Sequence, residues 1–185
     1  NFYTLLLFFA FTGLAIIFYT NPKPFEPRDL AALRAMRKIS EKKSLLLETK
    51  HPFPSRNNIE EVIVEKLAKE NSRIKKSGIE ITVMSFSWFA VEKMKALNKE
   101  ISTTYLLHDY TPWFTARYSS AQSIGPGINL LRKNLALAKR IKSTGRKLNV
   151  WTVNEASDIK LCHQLGVDNL ITNRPAYARE VLSNI

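Results

Sequence analysis

The sequence predicts an α/β fold in which parallel strands alternate with helices. From residue 28 onward, short apolar segments alternate with amphipathic segments at helical spacing. Glycines such as Gly145 and Gly166 end the helical segments, as turn residues do. A chain of 185 residues with 45% apolar content can bury one sizeable core. Strand and helix alternation implies right-handed crossovers and one parallel sheet.

The first segment is an apolar run that predicts a transmembrane helix over residues 2–20. Phe2 to Tyr19 are eighteen residues without a charge, and as a helix they would span about 27 Å, near the thickness of a bilayer core. Basic residues follow the run and none precedes it, so the positive-inside rule places the rest of the chain in the cytoplasm. A signal peptide fits less well, because the run lacks a basic leading region.

Two alternatives stay open for this run. It can be a helix packed on a soluble cytoplasmic domain, or the product of a truncated or frame-shifted gene, since the chain begins with Asn1 rather than Met. Residues 21–27 contain three prolines and predict a linker, so the folded domain is expected to cover residues 28–185.

Within residues 28–185 the elements follow in order. The helical segments carry apolar residues on one side, as Ile59, Val62, Ile63 and Leu67 do, and the strands are short apolar runs. Helices are predicted over residues 28–43, 59–75, 88–97, 130–143, 156–165 and 175–182. Six strands are predicted, over residues 45–49, 81–86, 103–107, 123–128, 148–153 and 169–172.

Charge and cysteine content exclude several classes of function. The net charge of +12 is compatible with an anionic partner, either a phospholipid surface or nucleic acid. Basic pairs such as Lys75-Lys76 and Lys139-Arg140 are dispersed and have no interleaved aromatic residues, which favours solvated surfaces over a nucleic-acid groove. The lone Cys162 excludes a disulfide within the chain, and no Cys/His spacing indicates zinc.

Glu48 and Lys50 are the first candidate site residues. They end the strand at residues 45–49, and the two-residue period of a strand places them on one face. A carboxylate can hold a hard divalent cation, and an ammonium can neutralise a phosphate oxygen. The alternative is an ordinary ion pair at a strand end.

Four segments carry a resemblance to a known family: Leu45-Leu46-Leu47-Glu48-Thr49-Lys50-His51-Pro52, Val83-Met84-Ser85-Phe86, Leu148-Asn149-Val150-Trp151-Thr152-Val153-Asn154-Glu155 and Gly166-Val167-Asp168-Asn169-Leu170-Ile171-Thr172-Asn173-Arg174-Pro175. In this order they resemble the glycerophosphodiester phosphodiesterases. The resemblance implies a (β/α)₈ TIM barrel with its active site at the carboxyl ends of the strands. With six strands, the chain is expected to lack the first two strands of that barrel.

The resemblance also implies a reaction and its residues. The family hydrolyses glycerophosphodiesters to an alcohol and glycerol 3-phosphate in lipid metabolism, with a divalent cation such as Ca²⁺ or Mg²⁺. By resemblance Glu48 is a metal ligand, Lys50 binds phosphate, and Phe86 and Trp151 line the substrate pocket against the glycerol moiety. Both aromatic residues have core packing as an alternative role. Asn154 is expected either to hydrogen-bond at its strand end or to cap the next helix.

The family's catalytic parts are missing from the front of this chain. The resemblance implies two general acid-base histidines, in His-Arg-Gly and His-Asp motifs, and two further carboxylates in a Glu-x-Asp strand, yet none lies upstream of Glu48. His51 is the substitute closest to the site, whereas His108 is assigned to a loop and His163 to a helix. Because general acid-base catalysis contributes about 10² to 10⁴ in rate, turnover by this chain alone is expected to be negligible.

The alternative function is a non-catalytic, membrane-tethered basic half-barrel. It would bind anionic lipid or a partner chain. Open sheet edges at Leu45 and Asn169 would need covering, and a homo-oligomer is one way to cover them.

Overall fold

A single sheet organises the computed structural model, which describes residues 6–7, 14–19, 44–49 and 59–185. Its eight strands are hydrogen-bonded in sequence order. Strand β1 is antiparallel to β2, and every later neighbour is parallel. The strands are β1 (Leu6–Leu7), β2 (Leu14–Tyr19), β3 (Ser44–Thr49), β4 (Glu80–Ser85), β5 (Ser102–Leu107), β6 (Ser123–Pro126), β7 (Lys147–Val150) and β8 (Asn169–Leu170).

Helices connect the parallel strands from β3 onward. They are α1 (Ile59–Ser77), α2 (Trp88–Leu97), α3 (Trp113–Tyr118), α4 (Ile128–Lys133), α5 (Ala136–Lys142), α6 (Ala156–Gln164) and α7 (Pro175–Ser183). All six predicted strands are confirmed, as β3 to β8. The helix predicted over residues 130–143 is interrupted at Asn134, whose non-helical backbone ends α4. The helix at residues 28–43 and the linker at residues 21–27 lie outside the described residues.

The structure of the apolar run corrects one prediction. The helix expected over residues 2–20 is wrong for the part of that range that the structure describes, because Leu6–Leu7 and Leu14–Tyr19 are strands. β2 pairs with β3 over six residues, from Leu14 beside Ser44 to Tyr19 beside Thr49. Strands of a parallel sheet that are buried on both faces are continuously apolar, so their composition resembles that of a membrane span. β2 thus adds a seventh parallel strand to the six predicted.

None of the helices between residues 59 and 185 combines the length and the apolar composition needed to cross a bilayer.

The two faces of the sheet have different partners. Leu45 and Leu47 of β3 pack with Ile59 and Ile63 of α1 on the outer face. The alternating residues face the other way: Leu46, Met84, Leu106 and Ile171 form a separate cluster, bordered by Phe86 and Trp151. Outer helices around an inner layer of side chains are the arrangement of a TIM barrel.

A chain of hydrogen bonds forms the inner layer below that cluster. The Asn169 amide donates to Asn149 Oδ1 at 2.8 Å, and the Asn149 amide donates to Thr104 Oγ1 at 3.0 Å. Asn149 and Thr104 are buried, so these bonds offset the cost of removing their polar groups from water. They also fasten β5, β7 and β8 at a common level.

The turn from α6 into β8 is fixed by Gly166 and Asp168. Gly166 has φ +62°, in the left-handed region that favours glycine. The Asp168 carboxylate accepts the backbone N–H of Leu148 at 2.8 Å, and the Asp168 N–H donates to the Leu148 carbonyl at 2.9 Å. This part of the recognised tail therefore joins β8 to β7.

Gly125 of β6 generates a prediction about stability. A Cβ at this position would lie 2.7 Å from Leu106 Cδ2 and 3.2 Å from the Asn149 carbonyl oxygen. We expect Gly125→Ala to lower the free energy of unfolding by about 1–3 kcal/mol through overpacking, measured by urea denaturation.

Gly127→Ala is the matched control. Its Cβ would meet Trp151 at 3.5 Å, an ordinary contact, and its φ of −63° suits alanine. Its unfolding free energy should be unchanged or higher by up to about 1 kcal/mol. Equal midpoints for the two variants would contradict the close packing described at Gly125.

Cys162 generates a prediction about reactivity. It is buried on α6, where burial, and secondarily the charge of Asp158, raise the pKa of its thiol to about 12. At pH 8 the thiolate fraction is therefore about 10⁻⁴, and we expect native protein to react with iodoacetamide about 10³-fold more slowly than an unshifted cysteine. Because the pKa is raised, labelling should stay slow at neutral pH and accelerate only in strong alkali. The same chain in urea should label at the ordinary rate, and fast labelling of native protein would contradict this burial.

Candidate functional site

Glu48 lies near the carboxyl end of β3 on the inner face of the sheet. It is two residues beyond Leu46 of the inner cluster, so alternation places it on the same side. In the parallel register it lies between Phe18 of β2 and Met84 of β4. Its side chain is 4% exposed. A buried carboxylate therefore occupies the end of the barrel at which such folds place their active sites; its role as a metal ligand stays a prediction.

Phe86 and Trp151 meet at the same end. Phe86 follows β4, Trp151 follows β7, and their rings lie edge to face with centroids 5.0 Å apart. Trp151 is anchored because its indole N–H donates to the Gly125 carbonyl at 2.7 Å. The two aromatic residues predicted to line the pocket are thus in contact.

His108 completes this aromatic group, although the sequence assigned it to a loop. It is the first residue after β5 and continues the inward alternation of Thr104 and Leu106. Its ring stacks on Phe86 at 4.0 Å with an interplanar angle of 13°, and lies 6.1 Å from the Trp151 ring. The two-residue period of β5 is the signal that indicates this position.

The backbone of His108 is held while its imidazole stays available. Its N–H donates to Thr111 Oγ1 at 2.9 Å, and its carbonyl accepts the Thr111 N–H at 3.0 Å. Among the described residues, the imidazole contacts only the rings of Phe86, Tyr110 and Trp151. The half-buried ring can therefore donate or accept a hydrogen bond in the mouth. We call Glu48, Phe86, His108 and Trp151 the mouth residues.

Asn154 joins the ends of β7 and β8. Its side-chain oxygen accepts the Thr172 hydroxyl at 3.1 Å and the Asn173 N–H at 2.9 Å. Helix α6 instead begins after Glu155, which provides no side-chain cap. Of the two roles predicted for Asn154, hydrogen bonding at the strand end is the observed one.

Three candidates from the sequence are not among the mouth residues. Lys50 and His51 lie outside them, so their predicted roles stay predictions. His163 lies on the exposed surface of α6.

A complete metal site is not present between residues 59 and 185 or in the three described strands before them. No group of three or more His, Cys, Asp or Glu side chains in these ranges could hold a metal ion. Glu48 offers one carboxylate. Ca²⁺ takes six to eight oxygen ligands, and Mg²⁺ takes about six. The described residues therefore do not fit a resident cation by themselves.

Comparison with known proteins agrees with this geometry. The family model described as "Glycerophosphoryl diester phosphodiesterase family" matches residues 17–177. The match begins inside β2, so the end of the apolar run falls within the family's domain. The "Probable glycerophosphodiester phosphodiesterase 1" of Mycobacterium tuberculosis is 26% identical over 144 residues, which are 76% of this chain and 53% of that protein. The chain thus spans about half the length of the curated relatives it matches.

Solved structures show the same fold. A glycerophosphodiester phosphodiesterase from Parabacteroides distasonis superposes with a TM-score of 0.69 at 19% identity, covering 85% of this chain and 63% of that one. A phosphodiesterase from Oleispira antarctica, solved in complex with the product sn-glycerol-3-phosphate, gives a TM-score of 0.64 at 19% identity, covering 84% and 59%. The prediction of a TIM-barrel type is confirmed. Because the family model covers most of its length, the chain belongs to the glycerophosphoryl diester phosphodiesterase family.

Proposed function

We propose that the mouth residues bind a glycerophosphodiester and that the chain takes part in its hydrolysis to an alcohol and glycerol 3-phosphate. The observation that carries the proposal is the buried Glu48 carboxylate at the same inner end as the Phe86, His108 and Trp151 rings. Family membership supports the reaction class. The Oleispira enzyme, bound to sn-glycerol-3-phosphate, supports the substrate class.

The mouth residues offer two kinds of surface to a ligand, apolar rings and polar groups. The rings of Phe86 and Trp151 offer apolar area to the carbon atoms of glycerol and exclude water. Excluding water strengthens electrostatic interactions at Glu48. His108 can hydrogen-bond a phosphate or alcohol oxygen from beside Phe86.

Glu48 is proposed to be one ligand of a divalent cation, Ca²⁺ or Mg²⁺, that the substrate phosphate shares. When bound, such a cation would neutralise phosphate charge. The described residues supply too few ligands for it, and no histidine precedes Glu48 in the sequence. We therefore propose that this chain binds ligand and cation together but hydrolyses substrate slowly by itself.

Glu48→Gln tests the proposal through binding. Calorimetric titration of wild type with glycerol 3-phosphate should show tighter binding in Ca²⁺ or Mg²⁺ than in EDTA. The variant keeps the side-chain shape and removes the charge, so we expect it to lose about tenfold in affinity in the presence of cation and little in EDTA. Glu180→Gln, on the exposed surface of α7, should behave as wild type.

Two outcomes would count against the proposal. Wild type that fails to bind glycerol 3-phosphate would remove the substrate assignment. Cation-enhanced binding that persists in Glu48→Gln would remove the role of Glu48. In a separate assay, glycerol 3-phosphate release from glycerophosphocholine should stay near the blank, and rapid cation-dependent release would show that the catalytic parts are complete.

A further inference from the structure

Three large aromatic side chains project into solvent around the mouth. Phe89, Tyr110 and Phe114 are 79%, 80% and 61% exposed. Phe89 lies in the first turn of α2, directly after β4, whereas Tyr110 and Phe114 follow β5. Since β4 and β5 are neighbouring parallel strands, all three residues lie at the carboxyl edge of the sheet. We call them the aromatic rim.

The two phenylalanines occupy equivalent positions beside anchored tryptophans. Trp88-Phe89 opens α2 and Trp113-Phe114 opens α3. In each pair the tryptophan packs against the core cluster while the phenylalanine is exposed. Because its neighbour is anchored, each phenylalanine is directed outward by the helix geometry.

The rim is built on fixed segments. Glu92 of α2 accepts the Ser119 hydroxyl at 3.0 Å and the Ser120 N–H at 2.9 Å, which joins α2 to the end of α3. Arg146 donates to the carbonyls of Arg117 at 3.0 Å and Ser119 at 2.7 Å. The helices that carry Phe89 and Phe114 are therefore held together, so binding does not have to order their backbone.

The rim is continuous with the mouth. Tyr110 stacks on His108 with ring centroids 5.0 Å apart, and His108 stacks on Phe86. A continuous path of aromatic rings thus leads from the exposed edge to Trp151 inside.

We propose that the aromatic rim docks on an anionic phospholipid bilayer. Exposed apolar patches of this kind mark protein or membrane contacts, and aromatic residues are favoured at the boundary between lipid and water. The charge of the chain favours an anionic membrane, because its net charge is +12. Arg117, one turn from Phe114 on α3, is exposed and has no ion pair among the described residues. Basic side chains beside an apolar edge are attracted to anionic head groups. This surface goes beyond the proposed hydrolysis and does not depend on it.

Vesicle binding of the full chain tests the proposal. We expect wild type to cosediment with phosphatidylcholine vesicles that contain phosphatidylglycerol, and much less with pure phosphatidylcholine. The double variant Phe89→Ser/Phe114→Ser should bind at least about tenfold more weakly, because it loses most of the buried apolar area. Arg117→Gln should weaken binding to the anionic vesicles only, and added salt should do the same.

Ile185→Ser is the matched control, since Ile185 is 58% exposed but follows the far end of α7. It should bind vesicles as wild type does. Circular dichroism and urea midpoints should be unchanged in all variants, because the substituted residues are exposed. The double variant should also keep wild-type affinity for glycerol 3-phosphate, which separates this surface from the mouth.

Three results would overturn the proposal. The first is wild type that does not bind anionic vesicles, and the second is a double variant that binds them as tightly as wild type. The third is self-association of wild type that disappears in the double variant without any vesicle binding, which would assign the rim to a second copy of the chain.

Discussion

The parallel register between β3 and β4 is the constraint on which the mouth depends. It sets Glu48 beside Met84 and Thr49 beside Ser85, and the Ser85 hydroxyl donates to the Thr49 carbonyl at 3.2 Å. A shift of one residue would exchange the faces of β3, so that Glu48 would point toward α1 and Leu47 into the mouth. The apolar contacts of Leu45 and Leu47 with α1 oppose such a shift. Packing on the outer face therefore fixes the carboxylate on the inner face.

The same alternation explains how much of the site follows from sequence. It places Glu48 on the inner face at the end of its strand, whereas Phe86 and Trp151 are expected in the pocket from the family resemblance. The same period, continued from Thr104 and Leu106 past the apolar part of β5, also places His108 on the inner face. The sequence suggests a loop there because His108 ends the apolar segment and is followed by Asp109 and Tyr110. The face on which a residue lies is predictable from the period, whereas the ring contacts that form on that face depend on distances between strands.

Other differences come from patterns with two physical solutions. Leu14–Tyr19 is apolar at every position, which suits a membrane helix and a strand buried on both faces equally well. Only the pairing partner, β3, decides between them. Two further differences are local. Helix α3 has only six residues, and the break between α4 and α5 falls at Asn134, so neither gives a periodic signal in the sequence. Element type is predictable for segments with a clear helical or strand period, and it is ambiguous wherever tertiary contacts decide.

The tail motif that carries the family resemblance is mostly structural. Asn149 belongs to the inner hydrogen-bond chain, Asp168 fastens the turn into β8, and Asn154 joins the two strand ends. These residues build the last quarter of the barrel whether or not an acid and a base are present elsewhere. The tail motif therefore indicates the family's architecture rather than its chemistry, since fold and chemistry depend on different residues.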